Sequence, residues 1–225
     1  TAIGRLLGYD CHIAIPEGVD RAVIELITKN DATLYFTPEK DYIAGFPKFL
    51  KEFLRARGNL RTFTFLNHSM MHGGNNDVTL KALEGIITEV LDIRERIDFY
   101  IPAVGNGSTI LGPGRALRKL SSPTRIIAFE SFQSGVAYEQ FWGEGKYERD
   151  FGIKPGTLPR HKLRGTSYLG IDFPHIRNAI EDELVDDVAL VSDEDVDRNY
   201  RKLTGREVPE CIPRWDRQSI GKYGR

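Results

Sequence analysis

Gly105-Asn106-Gly107-Ser108-Thr109 is the stretch whose residue types could do the most chemistry. Its glycines carry no side chain to keep an anion away, its amides are donors, and Ser and Thr add hydroxyls. The apolar run Phe99-Tyr100-Ile101-Pro102-Ala103-Val104 leads into it, and residues 110–119, which read as a helix, lead out. A loop so placed lies at a helix N-terminus, where unpaired N–H groups and the helix dipole favour negative charge, most often a phosphate. A dinucleotide fingerprint would need a third correctly spaced glycine, and a nucleoside-triphosphate loop a Gly-Lys-Ser/Thr ending; this stretch has neither. So short a cradle suits a single phosphate monoester. By itself the same pattern also serves as a tight strand-to-helix connection.

Other reactive residue types read more plainly. His68 and His72 stand four apart, a metal-ligand spacing on a helix. No third ligand accompanies them and Gly73-Gly74 argue against a helix, so no metal is assigned. The acidic residues between 181 and 197 lack the order of a calcium-binding loop and read as solvated helix faces. Arg214, Trp215, Arg217, Lys222, Tyr223 and Arg225 form a basic, aromatic tail with no apolar period.

Around the loop, strand-like and helix-like stretches alternate. Residues 1–8 read as a helix tail ended by Gly8, 10–15 as a buried strand stopped by Pro16, 20–29 as a helix and 32–36 as a strand. A helix over 42–57 puts Phe46, Phe49, Leu50, Phe53 and Leu54 on one side, and 60–66 returns to strand character. Residues 77–93 form an amphipathic helix, 99–104 and 124–130 strands, and 131–161 a long glycine-rich and proline-rich connection. A helix over 173–184, a strand over 187–191 and a helix over 193–203 follow, the last opened by Ser192 and Asp195 as a shortened capping box. Strands separated by such helices predict an α/β fold with parallel sheets covered by helices.

Composition narrows the partners. The 225 residues are 40% hydrophobic and 28% charged with a net charge of -1, so neither nucleic acid nor an anionic membrane is expected. No apolar run nears the roughly 20 residues that cross a bilayer and no signal-like segment opens the chain, which places it in the cytoplasm. Cys11 and Cys211 do not make a disulfide framework.

Several separated motifs resemble one family, the pyridoxal-phosphate enzymes of fold type II, also called tryptophan-synthase-beta-like, and within it the cysteine synthase and cystathionine beta-synthase group. Val104-Gly105-Asn106-Gly107-Ser108-Thr109-Ile110-Leu111-Gly112-Pro113-Gly114-Arg115 resembles the family's Gly-Thr-Gly-Gly-Thr loop with Ile, Gly and Gly-Arg after it. Ile127-Ala128-Phe129-Glu130-Ser131 is similar to a strand ending Val-Glu-Pro, and His161-Lys162-Leu163-Arg164-Gly165 to His-Lys-Ile-Gln-Gly. Residues 184–194 are similar to Ile-Asp-Glu-Val followed by Val-Ser-Asp-Glu, and Leu66-Asn67 to a Phe-Asp-Asn segment. The likeness runs with interruptions from residue 1 to about 203.

The resemblance implies two lobes, an incomplete small α/β lobe over 1–90 and a larger one over 91–225 whose tail, 204–225, is irregular. It implies pyridoxal 5'-phosphate as cofactor, its phosphate held by Gly105, Asn106, Gly107, Ser108 and Thr109, with Gly165 lining the cleft. The hydroxyl of Ser108, where the family has Gly, could add a donor. The family's substrate loop ends near Thr1, and Asn67 falls in a second substrate segment. The Schiff-base lysine of the family belongs before this loop, so none is assigned within the chain; Lys162 matches a family lysine that is not the imine-forming one. The fold is therefore expected to be incomplete at the N-terminus and the chain alone inactive. The parent would be a homodimeric enzyme of beta-elimination or beta-replacement on a small amino acid. Alternatives are a non-catalytic phosphate-ester or partner-binding module on a degenerate scaffold of this type, or an unrelated doubly wound phosphate-ester binder.

Overall fold

The computed structural model describes residues 1–39, 41, 45–57, 63–66, 76–120, 122–154, 157 and 173–207. The chain divides into two compact units, one within Thr1–Phe63 and one within Thr64–Val208, upstream of the expected boundary at 90.

In the first unit, β1 (His12–Pro16) and β2 (Thr33–Thr37) pair in parallel, from His12 opposite Thr33 to Pro16 opposite Thr37. The helix α1 (Ala2–Leu6) precedes them, α2 (Arg21–Thr28) crosses between them and α3 (Gly45–Arg57) follows. Asp20 starts α2 as its N-cap, its carboxylate accepting from the Ala22 N–H at 2.9 Å. Pro16 ends the strand from inside it. The Glu17 N–H, not position 16, donates to the Thr37 carbonyl, so the ring costs no ladder bond. The apolar face predicted for α3 is used: Phe49 packs tilted and Phe53 edge-to-face against Tyr35, with ring centroids 5.0 and 5.4 Å apart.

The second unit is built on a three-stranded parallel sheet ordered β3-β4-β5, with β3 at Phe99–Tyr100, β4 at Arg125–Ser131 and β5 at Asp187–Val191. On it lie α4 (Asn76–Leu91) and α5 (Ser108–Lys119), which share a core of Ile87, Leu117 and Ile126. Gly112 permits that packing, because a Cβ there would lie 2.8 Å from the Leu80 carbonyl oxygen. Then come α6 (Val136–Trp142), α7 (Lys146–Phe151), α8 (Pro174–Glu181) and α9 (Asp193–Thr204). The capping box of α9 is present in both directions between Ser192 and Asp195.

Three expectations change. Of the strand expected over 60–66, the described residues 63–66 form none; Phe65 and Leu66 are exposed, so no buried face stabilises pairing. The strand expected over 99–104 stops at Tyr100 and touches β4 again only as a bridge from Ala103 to Phe129, since Pro102 has no N–H to donate. Within 131–161, where a bare connection was expected, lie α6 and α7. Both begin after a glycine in the left-handed region and both are capped by a glutamate that precedes them in sequence. Glu130 accepts from the N–H groups of Val136 (3.0 Å) and Tyr138 (2.7 Å), and Glu139 from those of Gly145 (2.6 Å) and Tyr147 (2.7 Å).

Candidate functional site

Strand pairing carries the chain to the edge of the loop. The Phe129 N–H donates to the Pro102 carbonyl (2.9 Å) and the Val104 N–H to the Phe129 carbonyl (2.8 Å), fixing the residue before Gly105. Gly107, at φ +90°, then turns the chain into α5 as its N-cap, and its carbonyl accepts from the Ile110 and Leu111 N–H groups. Ser108 and Thr109, expected in the loop, form the first turn of the helix.

Side chains in the loop serve the loop. Asn106 Oδ1 accepts from the Ser108 N–H (3.0 Å) and from the Ser108 hydroxyl (2.7 Å), so that hydroxyl donates inward. The Thr109 hydroxyl donates to the Ala103 carbonyl at 3.2 Å. The N–H groups of Gly105, Gly107 and Thr109 make no hydrogen bond among the described residues. Three backbone donors around one left-handed turn are what a bound oxyanion requires.

Behind Gly107 stands the first turn of α8. A Cβ on Gly107 would lie 2.6 Å from the Ile176 nitrogen and 3.0 Å from the His175 carbonyl carbon. His175 is fully buried, and its Nε2 lies 2.5 Å from Oδ1 of Asn76, the first residue of α4; an oxygen acceptor there makes Nε2 the donor. The first turn of α8 thus touches both the first residue of α4 and the turn that starts α5, and it is the N-terminus of α5 that favours an anion at the loop.

Two residues outside the loop hold its helix. Pro113 lies inside α5 and offers no N–H to the Thr109 carbonyl, which accepts instead from the Tyr100 hydroxyl at 2.7 Å. Burial pushes the Tyr100 phenol above its ordinary value, so the donor stays protonated.

Of the residues the sequence singles out, the five of the loop come together as one turn. Thr1 is the exposed residue before α1 in the first unit, and its side chain makes no capping bond. Asn67, His68, His72, Lys162 and Gly165 lie outside the described residues. Sequence reasoning missed Asn76 and His175, which are 99 positions apart and share no motif. Tyr100 was missed too, although a proline in the middle of a helix signals that some other donor must serve the carbonyl one turn back.

The family model for "Pyridoxal-phosphate dependent enzyme" matches residues 1–208. The chain belongs to that family. A probable cysteine synthase of Bacillus subtilis is 26% identical over 201 residues, covering 89% of this chain and 57% of the relative. Cysteine synthases of Staphylococcus aureus are 25% identical over 206 residues, covering 89% and 56%. The chain thus spans a little over half the length of the curated relatives it matches. Among solved structures, cysteine synthase from Entamoeba histolytica superposes with a TM-score of 0.66 at 20% identity, covering 90% of this chain and 53% of that one. A hydrogen sulfide-producing enzyme from Fusobacterium nucleatum gives 0.64 at 18% identity, covering 91% and 59%. At these identities the likeness is one of fold: parallel α/β architecture of the cysteine synthase type.

Proposed function

We propose that this chain supplies the phosphate-binding part of an enzyme that uses pyridoxal 5'-phosphate for beta-elimination or beta-replacement on a small, serine-derived amino acid, as cysteine synthases do. The observation that carries the reading is the set of open N–H groups on Gly105, Gly107 and Thr109, at the start of α5, in a chain of this family. They fit a phosphate monoester in number and in kind. Pyridoxal phosphate, when bound, supplies the electron sink that amino-acid chemistry at the beta carbon needs.

The remaining roles belong to the chain's own residues. Gly105, Gly107 and Thr109 donate to the phosphate; Asn106 keeps the Ser108 amide and hydroxyl turned into the loop and so leaves the mouth of the nest to backbone donors. No residue of this chain is assigned as the imine-forming lysine, and turnover by the chain alone is not expected. Cytoplasmic location and assembly as a homodimer belong to the same proposal.

A spectroscopic titration of the full-length protein with pyridoxal phosphate tests it. An imine absorption band should appear and shift when O-acetylserine or serine is added. A spectrum that neither cofactor nor amino acid changes overturns the enzymatic reading.

A further inference from the structure

A proline in the sixth position of α5 should leave a defect one turn back. Its nitrogen has no hydrogen and its ring crowds the carbonyl of Thr109, which an uninterrupted helix would satisfy from position 113. The Tyr100 hydroxyl occupies that role from the end of β3, donating to the Thr109 carbonyl at 2.7 Å. The Thr109 side chain is tied to the same stretch, its hydroxyl donating to the Ala103 carbonyl at 3.2 Å. Thr109 is therefore held at two points by the six residues that enter the loop, while its own N–H remains open. Ala103 in turn bridges to Phe129 on the central strand, so the restraint is anchored in the sheet.

We propose that Tyr100 is a positioning residue for the phosphate nest: its hydroxyl replaces the helical donor that Pro113 lacks and sets the direction of the open Thr109 N–H. The inference rests on the functional reading above. The Gly107 carbonyl keeps its helical donors, and only the Thr109 carbonyl, which Pro113 cannot serve, is met by a side chain from outside the helix. Neither residue touches the ligand; Pro113 is fully buried and Tyr100 faces the helix backbone.

The test is a double-mutant cycle on the full-length protein with Tyr100→Phe, Pro113→Ala and both together. Affinities for pyridoxal phosphate and for inorganic phosphate are measured, along with amide exchange over residues 108–111. Beside Pro113, Tyr100→Phe should weaken both probes about three- to ten-fold, the factor an ordinary net hydrogen bond gives, and quicken exchange in the first turn of α5 while that of α4 stays as it was. In the Pro113→Ala background the restored N–H at 113 takes over the carbonyl, and Tyr100→Phe should then change affinity and exchange less than about two-fold, the residue of an uncoupled pair. Equal losses in both backgrounds, or no loss in either, overturn the proposal while leaving the functional reading intact. Wild-type protein that takes up neither probe overturns the reading itself, and the exchange cycle, which needs no ligand, still separates the two: coupling there supports the role of Tyr100 in holding the turn, and its absence removes that as well.

Discussion

Gly107 answers to two constraints at once, and either would select glycine. Its φ of +90° lies where a side chain is strained, and a Cβ would press on backbone atoms of Ile176 and His175, which cannot move aside as a flexible side chain could. Gly152, also left-handed at φ +65°, has nothing within 4 Å of that position. The pair makes a controlled comparison. Gly152→Ala should cost about 1 kcal/mol, the left-handed term alone, and leave phosphate binding unchanged. Gly107→Ala should cost roughly 2–4 kcal/mol, adding a backbone clash to that strain, and abolish binding of pyridoxal phosphate. Denaturant unfolding and a binding titration check both; equal stability losses at the two positions would show that α8 does not press on the turn. Asn106 matters for a different reason. Its side-chain oxygen accepts from the Ser108 amide and hydroxyl two residues on and so holds the turn that leads into α5.

At the scale of elements, four helices start on side-chain acceptors supplied by nearby residues, whereas α1 and α8 have no side-chain cap. Asp20 does so for α2, Glu130 for α6, Glu139 for α7 and Ser192 with Asp195 for α9. The α9 box carries a pH signature. The Ser192 hydroxyl, then the Ser192 N–H and the Arg198 guanidinium, hold the Asp195 carboxyl below its ordinary value. A folded value depressed in this way makes the contribution complete above the unfolded Asp value of about 3.9 and removes it as pH falls through the lower folded value. The melting temperature of Asp195→Asn should therefore lie below wild type at pH 7, and the gap should close toward about pH 2. A gap that persists unchanged in acid would mean that the cap does not depend on the charge. Between α6 and α7 the sign reverses. Tyr138 donates to Asp150, which pushes its phenol up to about 12, so its contribution is whole below the ordinary value of about 10 and fades between there and 12.

For the molecule as a whole, the chain forms two compact units, each with its own parallel sheet, and the glycine turn proposed to hold the phosphate is formed entirely by the second. Ligand that binds only the folded form raises stability by mass action, about 2.7 kcal/mol at a hundred times the dissociation constant. Pyridoxal phosphate should accordingly raise the thermal midpoint in a concentration-dependent way. Pyridoxal, which lacks the phosphate, should do far less at the same concentrations. Equal shifts with the two would place the binding energy on the ring and not on the nest. A net charge of -1 offers no general attraction for anions, so such a difference would report the local field at the start of α5.

Local pattern was enough for much of this. Apolar periodicity marked α2, α3, α4 and β5, the Ser192–Asp195 box opened α9, and Gly105 to Thr109 announced a strand-to-helix turn with room for an anion, because each of these depends on residues within a few positions of one another. The motifs around that loop pointed to the family by themselves. What tertiary structure decided lies across long sequence separations or against local preference. Pro102 cut β3 short through a bond it could not make, and Glu130 and Glu139 turned a glycine-rich connection into α6 and α7. Tyr100 and Thr109, and Asn76 and His175, acquired their roles only once folding set a hydroxyl beside an unserved carbonyl and an imidazole beside an amide 99 residues away. Hydrogen bonds of this kind are chosen by distance in space, and nothing in the spacing of residues along a chain encodes that distance.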